Sequence, residues 1–223
     1  MVCVATRKQR AERRADALSK DRIVEVAIEI LDTEGESALT FRALTARLDT
    51  GAGAIYWHVA NKSELLAAAT DDVLGSAMAR VRGDGDPRRT IRAIALGVFD
   101  AIDAHPWVGA QLSREPWQPA MLPVLEGIGT QLAALGASER AQFDSASALL
   151  SYLLGLAGQY AAAARLPRDT DRSAFLAAVA TQWEQLDSAR YPFVHRFATR
   201  LRGHDDREQF LAGVDLILAG IAG

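Results

Sequence analysis

The chain has 223 residues, 49% of them hydrophobic and 24% charged, with a net charge of −3. That balance is ordinary for a globular protein and excludes a chain that is disordered or low-complexity throughout. The one cysteine, Cys3, excludes an internal disulfide framework. No segment approaches about 18 uninterrupted apolar residues, and residues 1–22 lack an apolar core of signal-peptide length. A cytoplasmic protein with no membrane span is therefore expected.

The charge is unevenly placed. Residues 1–22 hold Arg7, Lys8, Arg10, Arg13, Arg14, Lys20 and Arg22 against Glu12, Asp16 and Asp21. The rest of the chain is correspondingly acidic. Residues 1–18 read as a flexible basic arm, either a solvated tail or a strand of chain that touches DNA.

Helical periodicity runs through nearly the whole chain, and no segment has the alternation of a strand, so an all-α fold is expected. Ser19 can cap a first helix with Ile23, Val26, Ala27, Ile30 and Leu31 on its apolar face, and Gly35 can stop it. Thr40 can cap a second helix, in which Leu44, Ala46 and Leu48 are expected to pack. After a turn at Thr50 and Gly51, a third helix is expected over residues 53–59. Asn61 followed by Glu64 has the spacing of a capping box for a fourth, carrying Leu65, Leu66, Ala69, Val73 and Leu74.

The run GDGDP at 83–87 reads as a linker, and Asp86 with Pro87 as the cap and first turn of a helix ending near His105 and Pro106. Pro116, Pro119 and Pro123 mark a joint. Long Ala/Leu periodicity predicts a helix over 138–165, stopped by Pro167. Shorter helices are expected over 173–187 and from Tyr191-Pro192. A last helix over 206–221 places Phe210, Val214, Ile217, Leu218 and Ile221 on one face.

The segment TFRALTARLDTGAGAIYWHVANK, residues 40–62, carries the functional argument. Neighbours on a helix splay by about 100°, so three successive rings, Tyr56, Trp57 and His58, cannot all enter a core. Ile55 and Val59, four apart, face inward. Ala52, Gly53, Ala54 and the three rings are left at the outside or the edge. Helix, tight turn and short helix make a helix-turn-helix, whose second helix lies in the major groove. Tyr and His can bond phosphates or bases, small residues let backbone approach DNA, and Lys62 is placed to meet a phosphate. Trp57 could instead be partly buried between helices.

These residues resemble the tetracycline-repressor (TetR) family of bacterial transcriptional regulators. The likeness runs over residues 19–74, most specifically in LTFRALTARL and IYWHVANKSELL. The tail, from YPFVHRF to the last helix, resembles the C-terminal domain of the tetracycline repressor more weakly. The resemblance implies a helix-turn-helix DNA-binding domain (19–66), a connecting helix (67–80) and a helical effector-binding and dimerisation domain (81–223). By position it implies that Thr40 and Arg42 contact the DNA backbone and a base edge. Ala52, Gly53 and Ala54 would lead the recognition helix. Tyr56, Trp57, His58 and Lys62 would bond phosphates and anchor it.

The sequence departs from the family at two places in this segment. Asp49 stands where glycine is usual at the turn, so the backbone must either avoid left-handed geometry or rely on Asp to tolerate it. Gly51-Ala52-Gly53-Ala54 stands where longer polar side chains are found, so base preference does not carry over. No counterpart to a magnesium–tetracycline site is evident. The effector domain nevertheless offers aromatic and polar side chains that fit an apolar pocket: His105, Trp107, Gln111, Trp117, Met121, Tyr152, Gln159 and Trp183. Each also has a plain reading, as core or, for His105, as a helix-end residue.

The expected function is a homodimeric repressor on palindromic operator DNA, released by a small apolar or aromatic effector. An activator, or a regulator without an effector, fits the same residues. The alternative class is a helical carrier or enzyme with a vestigial DNA-binding head. No nucleophile–base pair, metal-ligand spacing or phosphate loop supports catalysis, so no enzyme activity, metal or cofactor is expected.

Overall fold

In the computed structural model, residues 18–83, 85–163 and 172–221 are described. The basic arm and Pro167 therefore lie outside the described residues. Within them the chain is helical and without strands. In chain order the helices are α1 (Lys20–Glu34), α2 (Phe41–Leu48), α3 (Ala52–Tyr56), α4 (Lys62–Arg80), α5 (Pro87–Ala104) and α6 (Pro106–Arg114). A 3-10 turn (Pro119–Met121) leads into α7 (Leu122–Ala134), followed by α8 (Glu139–Ala163), α9 (Arg172–Glu184), α10 (Pro192–Leu201) and α11 (Asp206–Ala219).

Short-range chemistry sets the helix starts. The Ser19 hydroxyl accepts from the Arg22 N–H at 3.1 Å, and Thr40 Oγ1 from the Ala43 N–H at 3.1 Å. Asp86 Oδ1 accepts from the Arg89 N–H at 3.4 Å and from the Arg88 N–H at 2.9 Å, and those backbone bonds, with the Arg89 guanidinium beside it, hold its carboxyl below the usual range. Asn61 Oδ1 accepts from the Glu64 N–H at 2.9 Å, while the Glu64 carboxylate reaches back to the Ala60 N–H at 2.7 Å. The capping box thus closes one residue earlier than its usual form, on the Ala60 N–H rather than on that of the cap itself. Asn61→Ala is expected to cost about 1 kcal/mol in chemical unfolding, because α4 loses its cap.

The head is built on α1, where Ile23, Val26, Ala27, Ile30 and Leu31 recur at helical spacing and are all buried. They meet Leu39, Leu44, Ile55, Val59 and Leu65 in one core. Gly35 ends α1 at φ 83, a left-handed value that suits glycine. Ala46 is exposed, contrary to the packing expected for it. It lies two positions from Leu44, about 200° around the helix, so the residue that seats α2 (Leu44, 0% exposed) turns Ala46 outward.

Helix α4 runs from the head into the second half of the chain, where it packs on α5. Ile91, Ile94, Val98, Phe99 and Ile102 make α5 the centre of that half, with α7, α8 and α11 around it. Helix α6 lies against α8 at Gly109, where a Cβ would stand 2.9 Å from the Ala157 carbonyl oxygen. Helix α11 is held on α5 by Arg92–Asp215 (3.0 Å), Arg207–Asp100 (3.2 Å) and a bond from Arg88 to the Leu218 carbonyl. Helices α9 and α10 pack on each other through Trp183, Phe193 and Phe197. Arg202 bonds Glu184 across this pair at 2.7 Å and holds the carboxyl below its usual range.

Candidate nucleic-acid interface

The turn between α2 and α3 answers the question raised by Asp49. Its backbone is left-handed, φ 46 and ψ 51, the one described non-glycine residue with positive φ. Asp tolerates this region better than most side chains. The Asp49 and Thr50 N–H groups both turn back to the Thr45 carbonyl, which closes α2 and aims the chain into α3.

Helix α3 is shorter than expected, ending at Tyr56 rather than near Val59. The His58 and Val59 N–H groups both bond the Ile55 carbonyl, at 2.9 and 3.1 Å, which tightens the last turn. Ile55 and Val59 are 0% and 1% exposed and fix the element to the head. Ala52 and Gly53 are exposed and Ala54 half-buried; a Cβ on Gly53 would meet open space.

Tyr56 is exposed, and its ring stacks on Phe41 at 4.4 Å between centroids. Trp57 is 89% exposed, so its indole faces outward instead of filling a gap between helices. His58 is half-buried. Thr40 and Arg42 are exposed at the start of α2, Thr40 with its oxygen engaged as the cap. Among the described residues Arg47 is tied to Glu34 and Arg22 to Glu25, while no ion pair to Arg42 is found. Lys62 is half-buried and donates to the Glu36 carbonyl at 2.6 Å. Small backbone-exposing residues, two outward rings and two cations thus lie on or beside one two-helix motif.

The eight side chains expected to line an effector pocket do not meet in one place. His105 and Trp107 face the head: Nδ1 of His105 lies 2.8 Å from Asp32 Oδ1, and Trp107 donates to the same oxygen at 2.7 Å. Gln111 is 7% exposed and accepts from Arg114 at 2.6 Å. Met121 is buried, Trp117 is 75% exposed, and Gln159 is exposed. Tyr152 stacks on Phe210 and donates to its carbonyl at 3.2 Å, and burial pushes its phenol above the usual range. Trp183 belongs to the α9–α10 pair. A cleft of about 340 Å³ between α1, α4 and the 3-10 turn is lined by Asp21, Glu64, Asp71, Asp72 and Gln118, among others, and by none of those eight.

Asp32, Glu36 and Arg114, absent from the sequence reading, join the head to α6. Their contacts span 73 to 78 positions, beyond any local pattern. Among the described residues no group of three His, Cys, Asp or Glu could hold a metal ion, and no helix is long and apolar enough to cross a membrane.

A helix-turn-helix head carried on a helical C-terminal half defines a class of DNA-binding regulator. The chain belongs to the TetR family: the model of bacterial regulatory proteins of the tetR family matches residues 23–69, and that of the tetracyclin repressor-like C-terminal domain matches residues 81–223. The chain is similar to an HTH-type transcriptional regulator of Saccharopolyspora erythraea, at 31% identity over 67% of this chain and 64% of that protein. The match thus spans slightly less than two thirds of that relative. The HTH-type transcriptional repressor DrrR1 of Streptomyces coeruleorubidus is 29% identical over 92% of this chain and 77% of its own length. Among solved structures, the transcriptional regulator SCO7222, a TetR from Streptomyces coelicolor, is 50% identical with a TM-score of 0.81, covering 92% of this chain and 97% of that one. ActR of the same organism in complex with actinorhodin is 25% identical with a TM-score of 0.75, covering 92% and 95%.

Proposed function

We propose that the chain is a cytoplasmic, homodimeric repressor that binds a palindromic operator and is released by a small apolar or aromatic molecule. The observation that carries the DNA-binding part is the outward Tyr56 and Trp57 beside Lys62, on a short helix whose other face is held by buried Ile55 and Val59. Residues 19–66 would read DNA, 67–80 connect, and 81–223 sense the effector and dimerise. Thr40, Arg42, Tyr56, Trp57, His58 and Lys62 would contact phosphates or base edges, with Ala52, Gly53 and Ala54 close to the groove floor.

Dimerisation is supported by two open helix faces. Helix α8 exposes Ala148, Ser151, Gly155 and Gln159 at helical spacing, and α11 exposes Ala212, Leu216 and Ala219. Leu216 is 76% exposed, and a Cβ on Gly155 would meet nothing. Small residues with one protruding leucine suit close helix packing against a second copy. A two-fold dimer would place two α3 helices in successive major grooves, about 34–36 Å apart. The likeness to the repressor DrrR1 supports the sign of regulation, and the ActR complex with actinorhodin supports a small-molecule effector. Such a molecule can act only through its different affinity for the DNA-competent and released conformers.

The test is a gel shift with DNA upstream of the chain's own coding sequence. Sequence-selective binding at moderate salt is expected, falling steeply as salt rises because phosphate contacts displace counterions. Equal affinity for that DNA and for random duplex would overturn the reading.

A further inference from the structure

We infer that Arg114, at the end of α6, is a positioning residue for DNA binding, acting through Glu36 on Lys62. The inference rests on the proposed contact between Lys62 and a DNA phosphate.

The geometry is a continuous chain of charge-assisted bonds. Lys62 Nζ donates to the Glu36 carbonyl oxygen at 2.6 Å. That oxygen also accepts from the Leu39 N–H at 3.2 Å, so its acceptor sites are filled. The Glu36 carboxylate receives Arg114 as a fork, Nη1 to Oε1 at 3.1 Å and Nη2 to Oε2 at 2.6 Å. Arg114 is steadied in turn by the buried Gln111, whose Oε1 accepts from Nε at 3.0 Å and from Nη2 at 2.6 Å.

Each link has a physical purpose. A free lysine has large rotamer freedom, which a phosphate contact must remove. The bond to the Glu36 carbonyl removes part of it beforehand and leaves two ammonium N–H donors for DNA. Glu36 lies in the short turn between α1 and α2, with one side chain fork holding it from outside the head. A bidentate guanidinium fixes both place and orientation, which an ammonium in its position does not. It also neutralises the carboxylate of the residue whose carbonyl holds Lys62. Since α6 packs on α8 in the C-terminal half, a shift of α6 would be felt at Lys62.

The experiment measures DNA affinity against salt concentration by fluorescence anisotropy, with full-length protein and the upstream duplex. Wild type is compared with Lys62→Met, Arg114→Met, both together, and Arg114→Met with Glu36→Gln. Each single change is expected to weaken binding several-fold and to lower the salt slope by about one per half-site, the loss of one phosphate contact. The double change should be no worse than Lys62→Met alone. Removing the unpaired carboxylate with Glu36→Gln should restore part of the affinity lost in Arg114→Met, which a purely structural role would not allow. Arg114→Lys, the milder variant if Arg114→Met melts early, should bind between wild type and Lys62→Met. Wild-type affinity in both Arg114 variants, or losses that add in the double change, would overturn the inference. If Lys62→Met itself binds as wild type, the phosphate assignment of Lys62 fails and the inference falls with it.

Discussion

Trp57→Ala is expected to weaken operator binding by about 10- to 30-fold while leaving the melting midpoint nearly unchanged. The indole is 89% exposed, so its removal takes almost nothing from the core. An apolar ring of that size held in water is unfavourable in the free protein, and burial against a sugar-phosphate wall would relieve it. Truncating a buried aromatic anchor at an interface typically costs about 2 kcal/mol, which sets the fold-change. Anisotropy against the operator, paired with calorimetry of the free protein, separates the two effects. Unchanged affinity would remove Trp57 from the interface. A large fall in midpoint would show that the ring supports the fold.

Ile55→Ala should do the reverse: it should unfold the head first and lose DNA as a consequence. Ile55 is 0% exposed and is the buried residue of a five-residue helix. A helix this short has no stability of its own and depends on the packing of its apolar face. Deleting a fully buried isoleucine side chain to alanine costs about 2–5 kcal/mol, a large part of the roughly 5–15 kcal/mol that holds an ordinary domain together. Circular dichroism on heating should show a lowered midpoint, with DNA binding lost over the same temperatures. A midpoint within a degree of wild type would mean that α3 is seated by something other than its core contacts.

The contrast between these neighbours shows what the sequence carries and what it does not. The caps at Ser19, Thr40 and Asp86 were legible because each bond spans two or three residues, and the side-chain type alone determines it. The inward pair Ile55 and Val59 was legible for a similar reason, since one helical turn separates them. Local pattern fails where α3 ends: the turn closed on the Ile55 carbonyl stops the helix at Tyr56, while the outward Trp57 is one of the two placements that the run of rings leaves open. The outward turn of Ala46 is not legible in the sequence because α2 has only two turns, and one buried leucine fixes its rotation. The Asp32 and Glu36 contacts with α6 were invisible, as they exist only once residues more than 70 apart are brought together. His105, Trp107 and Gln111 have the chemistry of a pocket lining, but their partners in the structure are Asp32 and Arg114.

The relation between head and C-terminal half follows from the same placements. Helix α4 begins at the Asn61 cap and Lys62, soon after α3, and ends beyond the head against α5. Helix α6 reaches back to the ends of α1 through Asp32 and Glu36. The head is therefore joined to the rest by α4, by the polar contacts of α6, and by a hydrophobic core continuous with that of the C-terminal half.

The most direct measurement is the affinity of the full-length Tyr56→Ala, Lys62→Ala double variant for the upstream operator, with its melting midpoint recorded alongside. If residues 40–62 are the reading head, two backbone anchors are lost and affinity falls by roughly 100-fold, with a shallower salt dependence. Wild-type affinity and salt slope in a folded double variant would contradict the account.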